Sequence, residues 1–235
     1  VRLNTAAFYF DYNDIVLLSN YCVDLEPLNQ ATPCLRPSNV GSAEVKGLEA
    51  ELFVNPVEGL TFDGSISYLD FEYKEIDPTA GTDVTLNDIT PFTPEWKYSF
   101  GIQYDIENVV GGDLSFRFDG SYQSKIYTEA GNVDARMVPS DVVPGSVGYE
   151  DIGLAGGGGP IASLLVNNRI DGYFLANGRI GWTSGDGDWG LALEVHNIFD
   201  KYYFTSKVND ASAVGHVYGA PGKPRTWAVS ITRNF

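Results

Sequence analysis

Between Trp96 and Ile106 every second residue is bulky and apolar, namely Trp96, Tyr98, Phe100, Ile102, Tyr104 and Ile106, while Lys97, Ser99, Gly101, Gln103 and Asp105 fill the gaps. A period of two marks a β-strand with one oily and one wet face, because successive side chains leave a pleated strand on opposite sides. The pattern recurs at Leu114, Phe116, Phe118, Gly120 and Tyr122 against Ser115, Arg117, Asp119, Ser121 and Gln123, and again at Leu60, Phe62, Gly64, Ile66 and Tyr68 against Thr61, Asp63, Ser65 and Ser67. Five more strands are expected at about 2–18, 41–54, 169–183, 188–203 and 224–235, which makes eight.

The connections between these strands alternate in length. Asn55-Pro56-Val57-Glu58-Gly59, Asn108-Val109-Val110-Gly111-Gly112 and Ser184-Gly185-Asp186-Gly187-Asp188 are tight and rich in residues that accept turn geometry. Those at about 20–40, 76–92, 128–168 and 204–223 are long, and the low-complexity patch Gly156-Gly157-Gly158-Gly159-Pro160 reads as flexible loop inside the longest. Short turns on one rim and long loops on the other are the layout of an outer-membrane β-barrel, with the turns periplasmic and the loops outside. The expected fold is therefore all-β, an antiparallel transmembrane barrel segment. Trp96 and Trp227 open strands that descend from long loops while Trp182 and Trp189 flank a short turn, so two interfacial girdles of aromatic rings are expected.

Composition narrows the alternatives. The 235 residues suit one large all-β unit or two small domains. Hydrophobic residues make up 43%, yet mean hydropathy is −0.12 and no apolar run approaches the ~18 residues of a membrane helix, so helical spans are excluded while barrel strands are not. Thirty-one acidic against 15 basic side chains leave a formal charge of −16, which argues against nucleic acid as a partner. Residues 1–15 lack the basic start and apolar core of a secretory signal, which a barrel protein must once have carried; the sequence is accordingly expected to be a fragment, a processed product or a trimmed piece.

The most specific motifs lie near the end. Val195-His196-Asn197-Ile198-Phe199-Asp200-Lys201-Tyr202-Tyr203 resembles the penultimate-strand signature of TonB-dependent receptors, and Gly219-Ala220-Pro221-Gly222-Lys223-Pro224-Arg225-Thr226 is similar to that family's approach to its final strand. Phe8 to Ile15 and Glu44 to Glu51 also look like recurrent strands of this barrel, so the resemblance spans nearly the whole chain. In the last strand Trp227, Val229, Ile231 and Phe235 share one face, with Arg233 placed to snorkel at the rim. The resemblance implies a barrel of ~22 strands with a plugged lumen, of which eight form the C-terminal part. It further implies cargo that is a small molecule or metal chelate, such as a ferric siderophore or vitamin. The implied partners are outer-membrane lipid, the barrel assembly machinery acting on the terminal Phe235 strand, and the TonB complex, engaged through an N-terminal plug region that lies outside these residues. Asn197, Phe199, Asp200, Tyr203, Pro224, Arg225 and Phe235 are the signature residues. A stand-alone eight-stranded barrel with a structural or adhesive role is the rival reading, and an outer-membrane hydrolase a weaker one.

On the wet face, Glu49, Glu51, Asp63, Asp105, Asp119 and Glu194 are interspersed with Lys97, Arg117 and Arg179, which favours an ion-paired wall over a field that attracts cations. Glu194 and His196 invite a metal or general-base reading, but no spacing supplies further ligands or a nucleophile, so no catalytic, cofactor or metal residue is expected. Ligand contacts are expected from the long loops, with Tyr127, Arg136, Tyr149, His216 and Tyr218 as the main candidates and Asp141, Asp151, Lys207 and Asp210 as lesser ones. Cys22 and Cys34 share a polar stretch, which suggests a loop-closing disulfide in an oxidising compartment; two unpaired thiols are the alternative. A bridge around the eleven enclosed residues would stabilise the loop by roughly 3 kcal/mol or less. Mass spectrometry of the non-reduced protein is expected to show both thiols protected from alkylation, and two alkylated cysteines would reject the bridge.

Overall fold

A computed structural model describes residues 1–19, 36–77, 84–132, 136–137, 165–166, 168–210 and 216–234. Eight long strands form one antiparallel sheet: β1 (Arg2–Ser19), β2 (Arg36–Val57), β3 (Leu60–Ile76), β4 (Trp96–Val109), β5 (Gly112–Gln123), β10 (Tyr173–Ser184), β11 (Trp189–His196) and β14 (Thr226–Arg233). Each pairs with the next in that order, so the wall is a simple meander whose two edges are β1 and β14. The long connections carry short ladders of their own. These are β6 (Ile126–Tyr127) with β9 (Arg169–Ile170), β7 (Arg136–Met137) with β8 (Leu165–Val166), and the hairpin of β12 (Phe204–Asp210) with β13 (His216–Pro221).

The meander follows the expected eight strands, with four differences of extent. The strand expected over 41–54 begins earlier, at Arg36, and runs to Val57. The stretch expected as one strand over 169–183 is divided, because Arg169–Ile170 pairs with the 126–127 segment instead of with β5. The stretch expected to run from 188 to 203 stops at His196, where Asn197 adopts a φ of 52° and turns the chain out of the sheet. Residues expected as plain loop over 204–223 instead form the β12–β13 hairpin.

Register aligns the oily positions in rows across the wall. One row reads Ile102, Phe118, Gly178, Val195, Trp227; the next reads Tyr104, Phe116, Ile180, Leu193, Val229. Tyr104, Phe116, Ile180, Leu193, Trp227 and Val229 of these rows remain exposed, with Leu193 at 43% and Val229 at 74%, so this face is not closed by a protein core, as the outward face of a transmembrane barrel requires. The eleven residues from Trp96 to Ile106 span roughly 34 Å of strand, and a tilt near 40° reduces that to about 26 Å, close to the apolar band of a transmembrane barrel. Its upper limit is marked by the Tyr68 and Trp96 rings, 4.7 Å apart, and the stacked Tyr98 and Tyr122, 4.9 Å apart. At the lower limit the Arg233 guanidinium lies 5.0 Å over the Trp189 ring, and Trp182 Nε1 donates to Val109 O at 2.9 Å.

Beyond the upper girdle the two faces of β1–β3 exchange character. The face that carries Leu48, Leu52, Phe62 and Ile66 lower down carries Tyr9, Glu44, Lys46, Asp70, Glu72 and Lys74 higher up. There Tyr9 Oη donates to Glu44 at 3.0 Å, Lys46 pairs with Asp70 at 3.2 Å, and Lys74 pairs with Glu72 at 2.6 Å. On the opposite face Ala43 and Tyr73 are buried with Val84, and Phe71, Ile76 and Ala130 pack around them. This small core seats the loop segments on the upper wall.

The turn at Val110-Gly111 is a two-residue connection closed by the Val109–Gly112 pair, with φ of 55° and 74° at its central positions. Both angles suit a type I′ turn, for which Asn-Gly is preferred, whereas a β-branched residue at positive φ is strained. Val110 is 89% exposed, so nothing compensates for that strain through packing. Replacing it, V110N, is expected to stabilise the barrel by about 1 kcal/mol, read as a higher urea midpoint for unfolding of the full-length protein in detergent; an unchanged or lower midpoint counts against the turn assignment.

Candidate functional site

Three features are available for function: the wet wall, the upper rim and the signature turn. On the wet wall Arg117 of β5 reaches two strands across to Asp63 of β3, bonding its oxygens at 2.5 and 3.0 Å, and also takes Asp119 at 2.7 Å. The reach is possible because Gly101 lies beneath the guanidinium; a Cβ there would stand 1.8 Å from Arg117 Nη2. Arg179, directly opposite Arg117 in the ladder, turns away to Glu194 at 2.9 Å. Two like charges face to face are thus each drawn off by carboxylates on opposite sides, and the five-residue array carries a net charge of −1. This is an ion-paired wall. His196 Nε2 stands 3.8 Å from Glu194, and among the described residues no group of three or more His, Cys, Asp or Glu is placed to hold a metal ion.

At the upper rim the loops are joined by buried polar side chains. Asp88 accepts from Thr85 N at 2.7 Å and Thr85 Oγ1 at 3.0 Å, and its second oxygen accepts from Asn132 N at 3.2 Å. Asn132 in turn accepts from Ile89 N at 2.6 Å and donates to Ile89 O at 2.9 Å. Asn168, fully buried, donates to Gly131 O at 2.6 Å, while its own carbonyl accepts from Thr128 N at 2.9 Å. A hollow of about 600 Å³ lies beside this network between Asp70, Glu95, Lys125 and Tyr127. Sequence reasoning did not single out Asp88, Asn132 or Asn168. Each is a plausible turn residue taken alone, and a pairing 44 positions apart has no local signal.

The expected loop contacts are distributed unevenly. Tyr127 is buried at 7% exposure, its carbonyl accepting from Phe92 N at 2.8 Å and Lys125 Nζ lying 5.7 Å over its ring, so it belongs to the packing of the rim. Tyr218 is 53% exposed on β13, opposite Val208. Lys207 donates to Arg169 O at 2.7 Å and lies 5.0 Å over the Phe204 ring; burial pushes its ammonium below the ordinary lysine range. It thereby ties the β12–β13 hairpin to β9. Arg136 and His216 lie in strands paired with Val166 and Asp210 respectively. Cys22, Cys34, Asp141, Tyr149, Asp151 and Phe235 lie outside the described residues.

The signature turn is a clasp built around Asn197. Its amide donates to Lys201 O at 2.9 Å and Lys223 O at 3.1 Å, and its Oδ1 accepts from Lys201 N at 2.8 Å. Its backbone N–H donates to Asn177 Oδ1 at 3.0 Å. Asp200, also at a φ of 52°, accepts from Arg225 N at 2.9 Å, and the Tyr203 ring rests 4.5 Å from Tyr173 and over Gly222, where a Cβ would have no room. Phe199 packs toward Phe174 at 6.3 Å. These side chains close the base of the hairpin and start the last strand, so the structure gives residues 197–203 and 222–225 a role in the fold.

Asn197 is 5% exposed, so truncation would leave its three partners unpaired in a buried setting. N197A is expected to destabilise the folded barrel by about 3 kcal/mol or more, whereas N197G retains the backbone angle and loses only the hydrogen bonds. Proteolysis near 200–204 in N197A, together with a lower unfolding midpoint than N197G, is the expected pattern; equal stability of both with the parent would reject the clasp.

Solved structures with this arrangement come from several bacteria. The ferric yersiniabactin uptake receptor FyuA from Yersinia pestis superposes with a TM-score of 0.66 at 17% identity, covering 99% of this chain and 27% of that one. The ferric-catecholate import receptor Fiu from E. coli K12 in its closed form gives 0.60 at 19% identity, covering 99% and 25%. The ferric citrate transporter FecA in its unliganded form gives 0.58 at 20% identity, covering 99% and 29%. The chain therefore spans about a quarter of the length of these structures, and the likeness establishes the fold. The family described as TonB dependent receptor-like, beta-barrel matches residues 1–198. With that match over most of its length, on a wall whose oily rows and signature clasp have just been described, the chain belongs to the TonB-dependent receptor family as part of its β-barrel.

Proposed function

We propose that this chain is the C-terminal part of the barrel of an importer that takes a scarce nutrient, a ferric siderophore or a comparable chelate, across the outer membrane with energy supplied through TonB. The observation that carries this reading is the division of the wall into an exposed apolar face and an ion-paired face bearing Arg117, Arg179 and their carboxylates, which suits a barrel with an aqueous, occupied interior. No step of chemistry is assigned to the barrel. The long-loop rim faces the medium and offers cargo contacts such as Tyr218, while the short turns face the periplasm. The plug and the segment that engages the TonB complex belong to upstream parts of the full protein, and the last strand is the one handed to the assembly machinery. The ferric-siderophore names of FyuA and Fiu support a chelated metal as cargo. A stand-alone small barrel is less well supported, since β1 and β14 are the two edges of the sheet and are not paired with each other.

Deleting the full gene is expected to abolish growth on one ferric chelate as sole iron source while leaving growth on free iron unchanged. Uptake of the labelled chelate should stop when TonB is removed. Uptake that persists without TonB overturns the energised reading, and normal growth on every iron and vitamin source overturns the importer.

A further inference from the structure

The row Phe118, Gly178, Val195, Trp227 lacks a side chain at its centre. Its neighbours in the next row, Phe116 and Ile180, are large, so the omission leaves a hollow of about 380 Å³ on the lipid side of the wall, lined almost wholly by carbon. Trp227, 64% exposed, stands at one end of the row. A Cβ at Gly178 would meet nothing closer than Ile198 Cδ1 at 3.4 Å and Val195 Cγ1 at 3.5 Å, so the absence of a side chain is not forced by crowding and the position would accept one.

We infer that the hollow at Gly178 holds one fatty acyl chain of the surrounding lipid as a retained, ordered ligand of the barrel. The occupant follows from continuity with the membrane-facing rows, since the hollow is lined by Ile102, Phe118, Val195 and Trp227 of one such row and by Phe116 and Ile180 of the next. The five strands from β4 to β14 are ~19 Å wide at the ordinary strand spacing, so the row offers a long shallow bed and not a pit for a single methyl group. Hydrocarbon gains no hydrophobic energy by moving from bulk lipid to this bed; retention comes from close contact with ring and branched carbons that a fluid chain lacks. The inference rests on the membrane-facing assignment and is independent of which cargo is carried.

The test is native mass spectrometry of the full-length receptor released from phospholipid nanodiscs, comparing the parent with G178L and with I66A, a substitution on the same face but three strands away from β10. Because the hollow supplies on the order of ten additional carbon contacts, filling it with leucine is expected to reduce the lipid-retaining fraction about tenfold, with I66A at the parent level. Equal lipid retention in the parent and G178L overturns the inference, as does a parent that leaves the nanodisc as a dimer without lipid, which would assign the hollow to a second copy. Cargo uptake by G178L is expected to match the parent, so a loss of lipid with normal uptake separates this inference from the importer reading.

Discussion

Backbone N–H and C=O groups inside hydrocarbon have no water to bond, so every strand that crosses must be paired along its length by another strand. Within the sheet the eight long strands meet this demand by pairing in sequence order, from the β1–β2 register through to β11–β14, which leaves the outer edges of β1 and β14 for further strands. Everything else in the molecule is arranged around that ladder. Turns at one rim are as short as two residues because they need only reverse the chain, and the connections at the other rim are free to grow because they lie above the band.

Once the ladder is in place, what surrounds each face decides its chemistry. Leu48 and Glu44 lie on the same side of β2, yet one is exposed apolar surface and the other is hydrogen-bonded to Tyr9 in a charged belt. The change occurs at the height of Tyr68 and Trp96. Above it the inner face of the same strands becomes apolar and holds Tyr73 and Val84 in a small core. Polarity in this wall is therefore a function of height as well as side. A reading that treats each strand as having one oily face throughout misses the swap, although the alternation of charge at Glu44 and Lys46 with apolar residues at Leu48, Ala50 and Leu52 records it.

Strongly periodic stretches were legible because the period itself is the cause of the structure. Trp96 to Ile106, Leu114 to Tyr122 and Leu60 to Tyr68 became β4, β5 and the lower part of β3 with their oily residues in common rows. Legibility failed where a single backbone angle overruled the pattern. His196 to Tyr203 continues an acceptable strand composition, and only the positive φ at Asn197 and Asp200 turns it into the base of a hairpin. The work of Asn197 as a clasp between Lys201 and Lys223 depends on two segments that are distant in sequence meeting at one side chain.

The sequence by itself determined the eight long strands of the wall, the alternation of short and long connections, and which side chains share the oily face within the band, because each of these depends on neighbours one or two residues apart. Tertiary structure alone decided which charges cancel, as in the reach of Arg117 over Gly101 to Asp63, which loop segments share a polar knot through Asp88, Asn132 and Asn168, and where an absent side chain at Gly178 leaves a hollow on the oily face. Those outcomes depend on register across strands and on contacts between residues tens of positions apart, and such distances have no local trace in a chain read one residue at a time.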